Sequence, residues 1–284
     1  MNVLSIILTF VSLLYPAQTA NEKLVIEILN RDLLAKERAA DYERTLLLVT
    51  KGTRFENHWQ VNQPVKDDYL NLFVLKAGIR NRTDLPAGLK DYFGSCTYVG
   101  EKNIVICDDA FITTFLEIHN VPEMIKASPD RENEWRRHNE SFLLWVLGHE
   151  IGHVVKGHGA AHFGSDTLEA NVASASIGYQ RELDADAFLV DQISKDKEAS
   201  LSLIRMCLDL LNAEIKKQVG DKIPAGVGIL FDYNNEKVVR YMRLRTHPEY
   251  VIRLTRVLQK LSQLEGYDGL KNLTDTFSRN LREG

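Results

Sequence analysis

Residues 141–156 read SFLLWVLGHEIGHVVK and carry a His-Glu-x-x-His pattern at His149, Glu150 and His153. Residues four positions apart share one face of an α-helix, so both imidazoles can reach a single metal ion. Glu150 lies about 100° further around the helix axis, a position that suits a general base beside the metal. Apolar residues flank the motif on nearly every side. We therefore predict a helix over 139–157 that is buried almost all round and opens into a cleft at its histidines.

The two histidines need a third partner, because a zinc ion in a catalytic site takes three protein ligands and keeps one position open. His158 follows His153 by five residues, which rotates it far from the His149 side of a continuing helix. We interpret His158 as a helix-terminal residue that interacts favourably with the helix dipole. Glu182, in the sequence RELDAD at 181–186, is the better candidate for the third ligand.

A carboxylate, Asp186, lies one turn after Glu182 on the same predicted helix face. It can hold a ligand histidine by the ring nitrogen that does not bind metal. The alternative is that the two carboxylates belong to a charged, solvated helix face. Gly148 and Gly152 are also four residues apart, and they predict that a second helix approaches the His-Glu-x-x-His helix closely.

The segment CTYVGEKNIVIC at 96–107 predicts a β-hairpin with its turn at Glu101–Lys102. The register set by this turn places Cys96 directly opposite Cys107. Opposed residues on antiparallel strands have Cβ atoms about 4.5–5.5 Å apart, near disulfide range. We predict a Cys96–Cys107 disulfide, and the alternative is a pair of buried free thiols. The remaining cysteine, Cys207, fits the core side of a helix.

The overall composition is that of a globular protein of one large domain or two small ones: 284 residues, 44% hydrophobic and 26% charged. It excludes collagen-like, low-complexity and largely disordered classes. The formal net charge of −4 gives no sign of a nucleic-acid partner, which would require a basic excess or patch.

The first 20 residues, MNVLSIILTFVSLLYPAQTA, contain no charged side chain. The apolar run at 3–15 is shorter than the roughly 20 residues that span a bilayer, but it has the length of a signal-peptide core. We expect a signal peptide at 1–20 and a secreted or periplasmic protein. The alternatives are an uncleaved N-terminal membrane anchor and a buried helix. No later segment reaches 18 apolar residues, so we expect no membrane span after signal removal.

Helical spacing of apolar residues predicts one long helix over 21–50 and a short, aspartate-capped helix over 67–77. Further helices are predicted over 168–194, 198–218 and 249–264. Together with the hairpin, these elements indicate the α+β class, a mainly helical domain with a small antiparallel sheet beside the metal-site helix.

Three motifs occur in the order GHEIGHVVKGH at 148–158, ELDAD at 182–186 and HPEYVIR at 247–253. Written as HExxH, ExxAD and HPxxxxR, they resemble the M48 family of gluzincin zinc metallopeptidases. The resemblance covers about residues 67–260, includes the upstream stretch GSCTYVGEKNIVICDDAF, and implies a zincin-like fold. The chain is then expected to have three parts: a signal peptide at 1–20, an N-terminal helical segment packed on the catalytic domain at 21–66, and a zinc metallopeptidase domain at 67–284.

The resemblance also implies roles for individual residues. It implies one Zn²⁺ per chain, held by His149, His153 and Glu182. Glu150 would be the general base and then the general acid toward the leaving amine. Asp186 would support the ligands, and Arg253 would be structural or would anchor the metal-site helix.

Two further roles follow from the same resemblance. His247 precedes a helix opened by Pro248, and it would stabilise the oxyanion or gate the open coordination position. The alternatives are a helix N-cap at His247 and a Glu249–Arg253 ion pair. The hairpin strand 103–107 would offer its backbone to an extended peptide substrate, at Ile104, Val105 and Ile106.

The leading hypothesis for function is a zinc metalloendopeptidase that hydrolyses peptide bonds of exported or misfolded proteins. A second hypothesis is a zinc-binding, chaperone-like or interaction protein that holds unfolded clients in the same cleft with little proteolysis. A third treats the zinc as structural. The intact Glu150 favours the enzyme, because a pure binding protein does not need a general base.

Overall fold

The computed structural model describes residues 20–100, 102–118, 121–126, 128–158, 168–219, 248–263, 270–272 and 274–275. Residues 1–19 of the predicted signal peptide, and His247, lie outside the described residues. Within those ranges no helix combines the length and hydrophobicity that crossing a bilayer requires. The helices are α1 (Ala20–Asn30), α2 (Ala39–Val49), α3 (Ala110–Ile118), α4 (Val121–Met124), α5 (Arg131–Lys156), α6 (Leu168–Ile193), α7 (Lys197–Val219) and α8 (Pro248–Leu261).

One four-stranded sheet accompanies the helices, with the order β1-β2-β4-β3. Its strands are β1 (Trp59–Val61), β2 (Leu70–Leu75), β3 (Cys96–Tyr98) and β4 (Ile104–Asp108). Strands β1 and β4 both run parallel to β2, whereas β3 runs antiparallel to β4. The predicted α+β class agrees with this mainly helical arrangement, but the sheet is mixed, and among the described strands the predicted hairpin is the only antiparallel pair.

Strand β2 occupies the place of the helix predicted over 67–77, and that prediction is wrong. Its sequence LNLFVL is buried at every position, because both faces of the sheet are covered. A strand buried on both faces shows a continuous apolar run instead of alternation. Leu72 and Val74 join one hydrophobic cluster, formed largely with α2, α5, α6, α7 and α8, and Phe73 and Leu75 join a second cluster with α1.

The N-terminal region differs from the single helix predicted over 21–50, because it forms two helices. Between α1 and α2, the Ala35 N–H donates to the Val74 carbonyl (2.8 Å), and the Lys76 N–H donates to the Leu33 carbonyl (2.9 Å). The backbone here pairs with the end of β2 instead of continuing the helix. Strand β1 also belongs to this region. Residues before 67 therefore supply one strand of the sheet in addition to helices.

Helix α5 is the centre of the fold. It contacts α2, α3, α6, α7 and β3, and from Ser141 to Val154 it is buried on nearly every side, as its sequence predicts. Gly152 lies against the backbone of α6, where an added Cβ would stand 2.8 Å from the Ala185 carbonyl oxygen. The close approach of a second helix, predicted from the glycine pair, is therefore present, and it places α6 next to the His-Glu-x-x-His face.

Candidate metal centre

Three side chains from α5 and α6 converge on one point. The distance from His149 Nε2 to His153 Nε2 is 3.1 Å. Glu182 reaches both rings, with one oxygen 3.1 Å from His149 Nε2 and the other 3.3 Å from His153 Nε2. Ligands about 2.0–2.1 Å from a tetrahedral ion stand about 3.3 Å apart. Two imidazole nitrogens and one carboxylate at this spacing can hold a metal ion, and they are the three predicted ligands.

The first of these ligands, His149, is oriented through its second ring nitrogen. His149 Nδ1–H donates to Asp186 Oδ1 at 2.9 Å, and this directs Nε2 at the cluster. Asp186 is itself held by Arg253 of α8, which donates from Nε at 2.8 Å and from Nη2 at 3.0 Å. Arg253 Nη1 also lies 3.0 Å from Glu182. Arg253 therefore joins α8 to both carboxylates of α6.

The second imidazole ligand, His153, has a partner that the sequence interpretation did not assign to it. His153 Nδ1 lies 3.0 Å from His158 Nδ1. A continuing helix would turn His158 away, but α5 ends at Lys156 and Gly157 takes a left-handed conformation with φ 67°. The chain then folds back, and the His158 N–H donates to the His153 carbonyl at 2.9 Å. His158 is not among the converging donors, as predicted, but it contacts one of them.

Glu150 stays outside the donor cluster and faces the sheet. Its Oε2 accepts the backbone N–H of Tyr98 in β3 at 2.7 Å. Sequence reasoning missed this contact, although the hairpin register contains the signal for it. Because Val99 bonds to Ile104 and Asp108 bonds to Ser95, the alternate residues Cys96 and Tyr98 direct their backbone groups away from β4.

Charge and burial shift the protonation of the cluster. Burial lowers the pKa of His149, but hydrogen bonds to Asp186 and Glu182 outweigh it and raise the pKa to about 9. Burial raises the pKa of Glu182, but the hydrogen bonds from His149 and His153 outweigh it and bring the pKa below its ordinary value. The pKa of Glu150 is raised, chiefly by burial. These shifts favour a protonated His149 between the Asp186 and Glu182 carboxylates.

The hairpin beside Glu150 contains the predicted disulfide. Cys96 and Cys107 are bonded, and they occupy opposed positions of β3 and β4 as the register predicts. They form a pair that exchanges no backbone hydrogen bonds, the closer type of antiparallel pair. Cys207 is a buried free cysteine, which agrees with its predicted place in a helix core.

The predicted substrate strand requires a correction. Ile104, Val105 and Ile106 are fully buried, and β4 is hydrogen-bonded to β2 on one side and to β3 on the other. An interior strand has no edge to which a peptide can add. In the described part of the chain, the edge of the sheet next to Glu150 belongs to β3.

No family model, no curated protein and no solved structure matches the chain. The resemblance to M48 metallopeptidases is therefore one of sequence motifs alone. Two of them are now seen to form one cluster, and Arg253 of the third motif is bonded to it. His247, the first residue of that third motif, lies outside the described residues.

Proposed function

We propose that the protein is a zinc-dependent endopeptidase whose metal centre is His149, His153 and Glu182. The observation that carries this proposal is that the three metal donors and Glu150 occupy separate positions at the site. Three donors converge within 3.3 Å of one another, while Glu150, between the two histidines in sequence, is turned to the sheet edge. Three ligands leave a coordination position for a reactant, whereas structural zinc sites are closed by four.

The chemistry assigned to the site is hydrolysis of a peptide bond. When bound, zinc supplies Lewis acidity at the peptide carbonyl and lowers the pKa of water. Glu150 takes a proton from the attacking water and delivers it to the leaving nitrogen, as the carbon–oxygen bond forms and the carbon–nitrogen bond breaks. The raised pKa of Glu150 suits both steps. His247 remains the proposed residue for oxyanion stabilisation or gating.

The substrate strand is reassigned from β4 to β3 in this proposal. An extended peptide adding to β3 would meet the outward backbone groups of Cys96 and the carbonyl of Tyr98. Since the Tyr98 N–H already reaches Glu150 at 2.7 Å, a peptide on this edge would pass next to the general base. Substrates would then be extended or unfolded segments, in keeping with exported or misfolded proteins.

Export is part of the same proposal. A disulfide between Cys96 and Cys107 is characteristic of secreted and periplasmic proteins, because cytosolic thiols are kept reduced. This agrees with the charge-free residues 1–20. Sequencing the N-terminus of protein secreted by its host would test it, since a mature chain that begins near residue 21 is expected.

The decisive experiment combines metal analysis with turnover of a fluorogenic peptide library. Wild-type protein is expected to contain one zinc per chain and to cleave peptides, and Glu150→Gln is expected to retain zinc while hydrolysis falls by about 10²–10⁴-fold. Glu140→Gln is the matched control. It removes a carboxylate from the same helix, one in an exposed 3.4 Å pair with Arg44, and such pairs contribute little.

Two results would contradict the proposal. Full proteolysis by Glu150→Gln would show that Glu150 is not the general base. Absence of hydrolysis by zinc-loaded wild type, together with binding of an unfolded client that survives Glu150→Gln, would support the chaperone-like alternative instead.

A further inference from the structure

We propose that His158 is a positioning residue for the metal centre, whose Nδ1 accepts the Nδ1–H of His153 and so holds the His153 ring in its ligand orientation. The inference rests on the proposed metal centre but not on peptidase activity. It assigns a hydrogen-bonding role to a residue outside the donor cluster, and it predicts a defined protonation pattern for both rings.

The end of α5 places His158 at this position. The Gly157 N–H donates to the Val154 carbonyl (3.2 Å), and the His158 N–H donates to the His153 carbonyl (2.9 Å). These two bonds, with a left-handed residue at Gly157, form a Schellman cap, in which the residue after the glycine folds back onto the residue five positions earlier. In this cap those two residues are His158 and His153.

The proton positions follow from the chemistry of a neutral imidazole. Such a ring carries one N–H and one lone pair. His153 Nε2 needs its lone pair to bind metal, since it lies 3.3 Å from Glu182 and 3.1 Å from His149 Nε2. Its proton must then be on Nδ1, and the atom that receives it, 3.0 Å away, is His158 Nδ1. His158 is consequently the tautomer with its proton on Nε2.

The two imidazole ligands are thereby held in the same way by different acceptors. His149 donates through Nδ1 to the Asp186 carboxylate at 2.9 Å, and His153 donates through Nδ1 to a neutral imidazole at 3.0 Å. Partners of this kind typically change metal affinity by about 10–100-fold when removed.

Two substitutions separate the hydrogen bond from the packing of the ring. His158→Asn places an oxygen acceptor on the same γ-carbon that bears Nδ1, and His158→Phe keeps a ring at the position with no acceptor. Zinc affinity is measured by competition with a chromophoric chelator. We expect His158→Phe to bind zinc at least about tenfold more weakly than wild type, and His158→Asn to stay within about threefold of wild type.

A measurement on the wild type needs no variant to fold. In zinc-loaded protein with ¹⁵N-labelled histidine, nuclear magnetic resonance is expected to show His158 protonated at Nε2 only. It is also expected to show a scalar coupling between the two Nδ1 nuclei across the N–H···N hydrogen bond. A proton on His158 Nδ1, or the lack of this coupling, would overturn the proposal.

The outcomes distinguish this inference from the proposed function. If wild type binds zinc and His158→Phe binds it equally well, the role of His158 is wrong and the metal centre stands. If wild type binds zinc, the two variants separate as expected and no peptide is cleaved, His158 keeps its role and the peptidase proposal fails. If wild type binds no zinc, the metal centre fails and the role of His158 fails with it.

Discussion

Substituting Gly152 with alanine tests whether the contact between α5 and α6 sets the geometry of the metal centre. The new Cβ would stand 2.8 Å from the Ala185 carbonyl oxygen and 2.9 Å from Ala185 Cα. These are backbone atoms, so no side-chain rotation can relieve the overlap. Restoring an ordinary contact of about 3.5 Å requires the helices to separate by about 0.7 Å.

The displacement reaches the metal centre directly, because Glu182 lies one helical turn from Ala185 on α6. Its oxygens stand 3.1 and 3.3 Å from the two imidazole nitrogens, and metal–ligand distances tolerate a change of only about 0.2 Å. We expect Gly152→Ala to weaken zinc affinity at least about tenfold, which corresponds to about 1.4 kcal/mol, and to lower peptide turnover with it.

The substitution is also expected to lower stability by a limited amount. Overpacking of a core costs about 1–3 kcal/mol, while alanine is favoured over glycine inside a helix by about 1 kcal/mol. The free energy of unfolding of the metal-free Gly152→Ala protein should therefore fall by no more than about 2 kcal/mol. Urea unfolding measures this change in the free energy of unfolding, and the chelator competition measures zinc affinity separately.

Gly148→Ala is the matched control, one turn earlier on the same helix. Its Cβ would meet the Leu189 side chain, closest at Cδ1, and would lie 3.4 Å from Val49 Cγ1. Leu189 can rotate its end away, so α6 need not move. We expect zinc affinity within about twofold of wild type. Equal zinc affinity for Gly152→Ala and wild type, or equal damage from both alanines, would refute the reasoning.

Three further outcomes are expected. Zinc uptake at pH 7 should release close to one proton, because His149 with a pKa of about 9 is protonated in the metal-free state. Zinc affinity should then rise about tenfold per pH unit up to about pH 9. Equal heats of zinc binding in buffers of different ionisation enthalpy would contradict the proton release. Arg253→Gln should lower the free energy of unfolding by about 3–5 kcal/mol, since it removes the guanidinium that pairs with the buried Asp186 carboxylate, and Arg253→Lys should recover only part of this in urea unfolding, because lysine lacks the paired donors. Replacing both Cys96 and Cys107 with alanine should cost about 3 kcal/mol for a loop of this length, and thermal unfolding with and without reductant measures it.

Local sequence patterns predicted those relations in the site that lie within a single helix or a single hairpin. Helical spacing indicated that His149 and His153 share a face, and that Asp186 follows Glu182 on another helix. Hairpin register predicted the Cys96–Cys107 bond. Each of these relations involves residues close in sequence, whose geometry is fixed by the pitch of a helix or the pleat of a strand.

The errors arose where distant segments meet. Strand β2 pairs in parallel with both β1 and β4, and parallel pairing leaves no local turn signal in the sequence. Asn71 shows the difficulty, because this fully buried asparagine is a poor strand former by composition. Its side chain is satisfied by backbone groups of Lys66, Tyr69 and Lys102, and only the folded chain brings these together.

The contact between His158 and His153 was missed for a related reason. Helical spacing was applied to His158, although α5 ends at Lys156. The signal was Gly157, since glycine is the residue that most often follows the last helical position and reverses the chain there. His158 follows Gly157 and lies five residues after the ligand His153. In a glycine-capped helix end, this spacing predicts contact between the two histidines.

His149 and His153 are close in sequence, but the residues that orient His149 are not. Among the described residues, His149 is oriented by Asp186 of α6, and Asp186 is held by Arg253 of α8, 67 residues away. An HExxH motif therefore identifies atoms that can bind a metal without showing that they are held ready to do so. The paired carboxylates and the helix cap preorganise the centre, because they fix the orientations of the two imidazole rings before any ion arrives. It follows that variants of the orienting residues should reduce metal affinity while leaving every ligand in the chain.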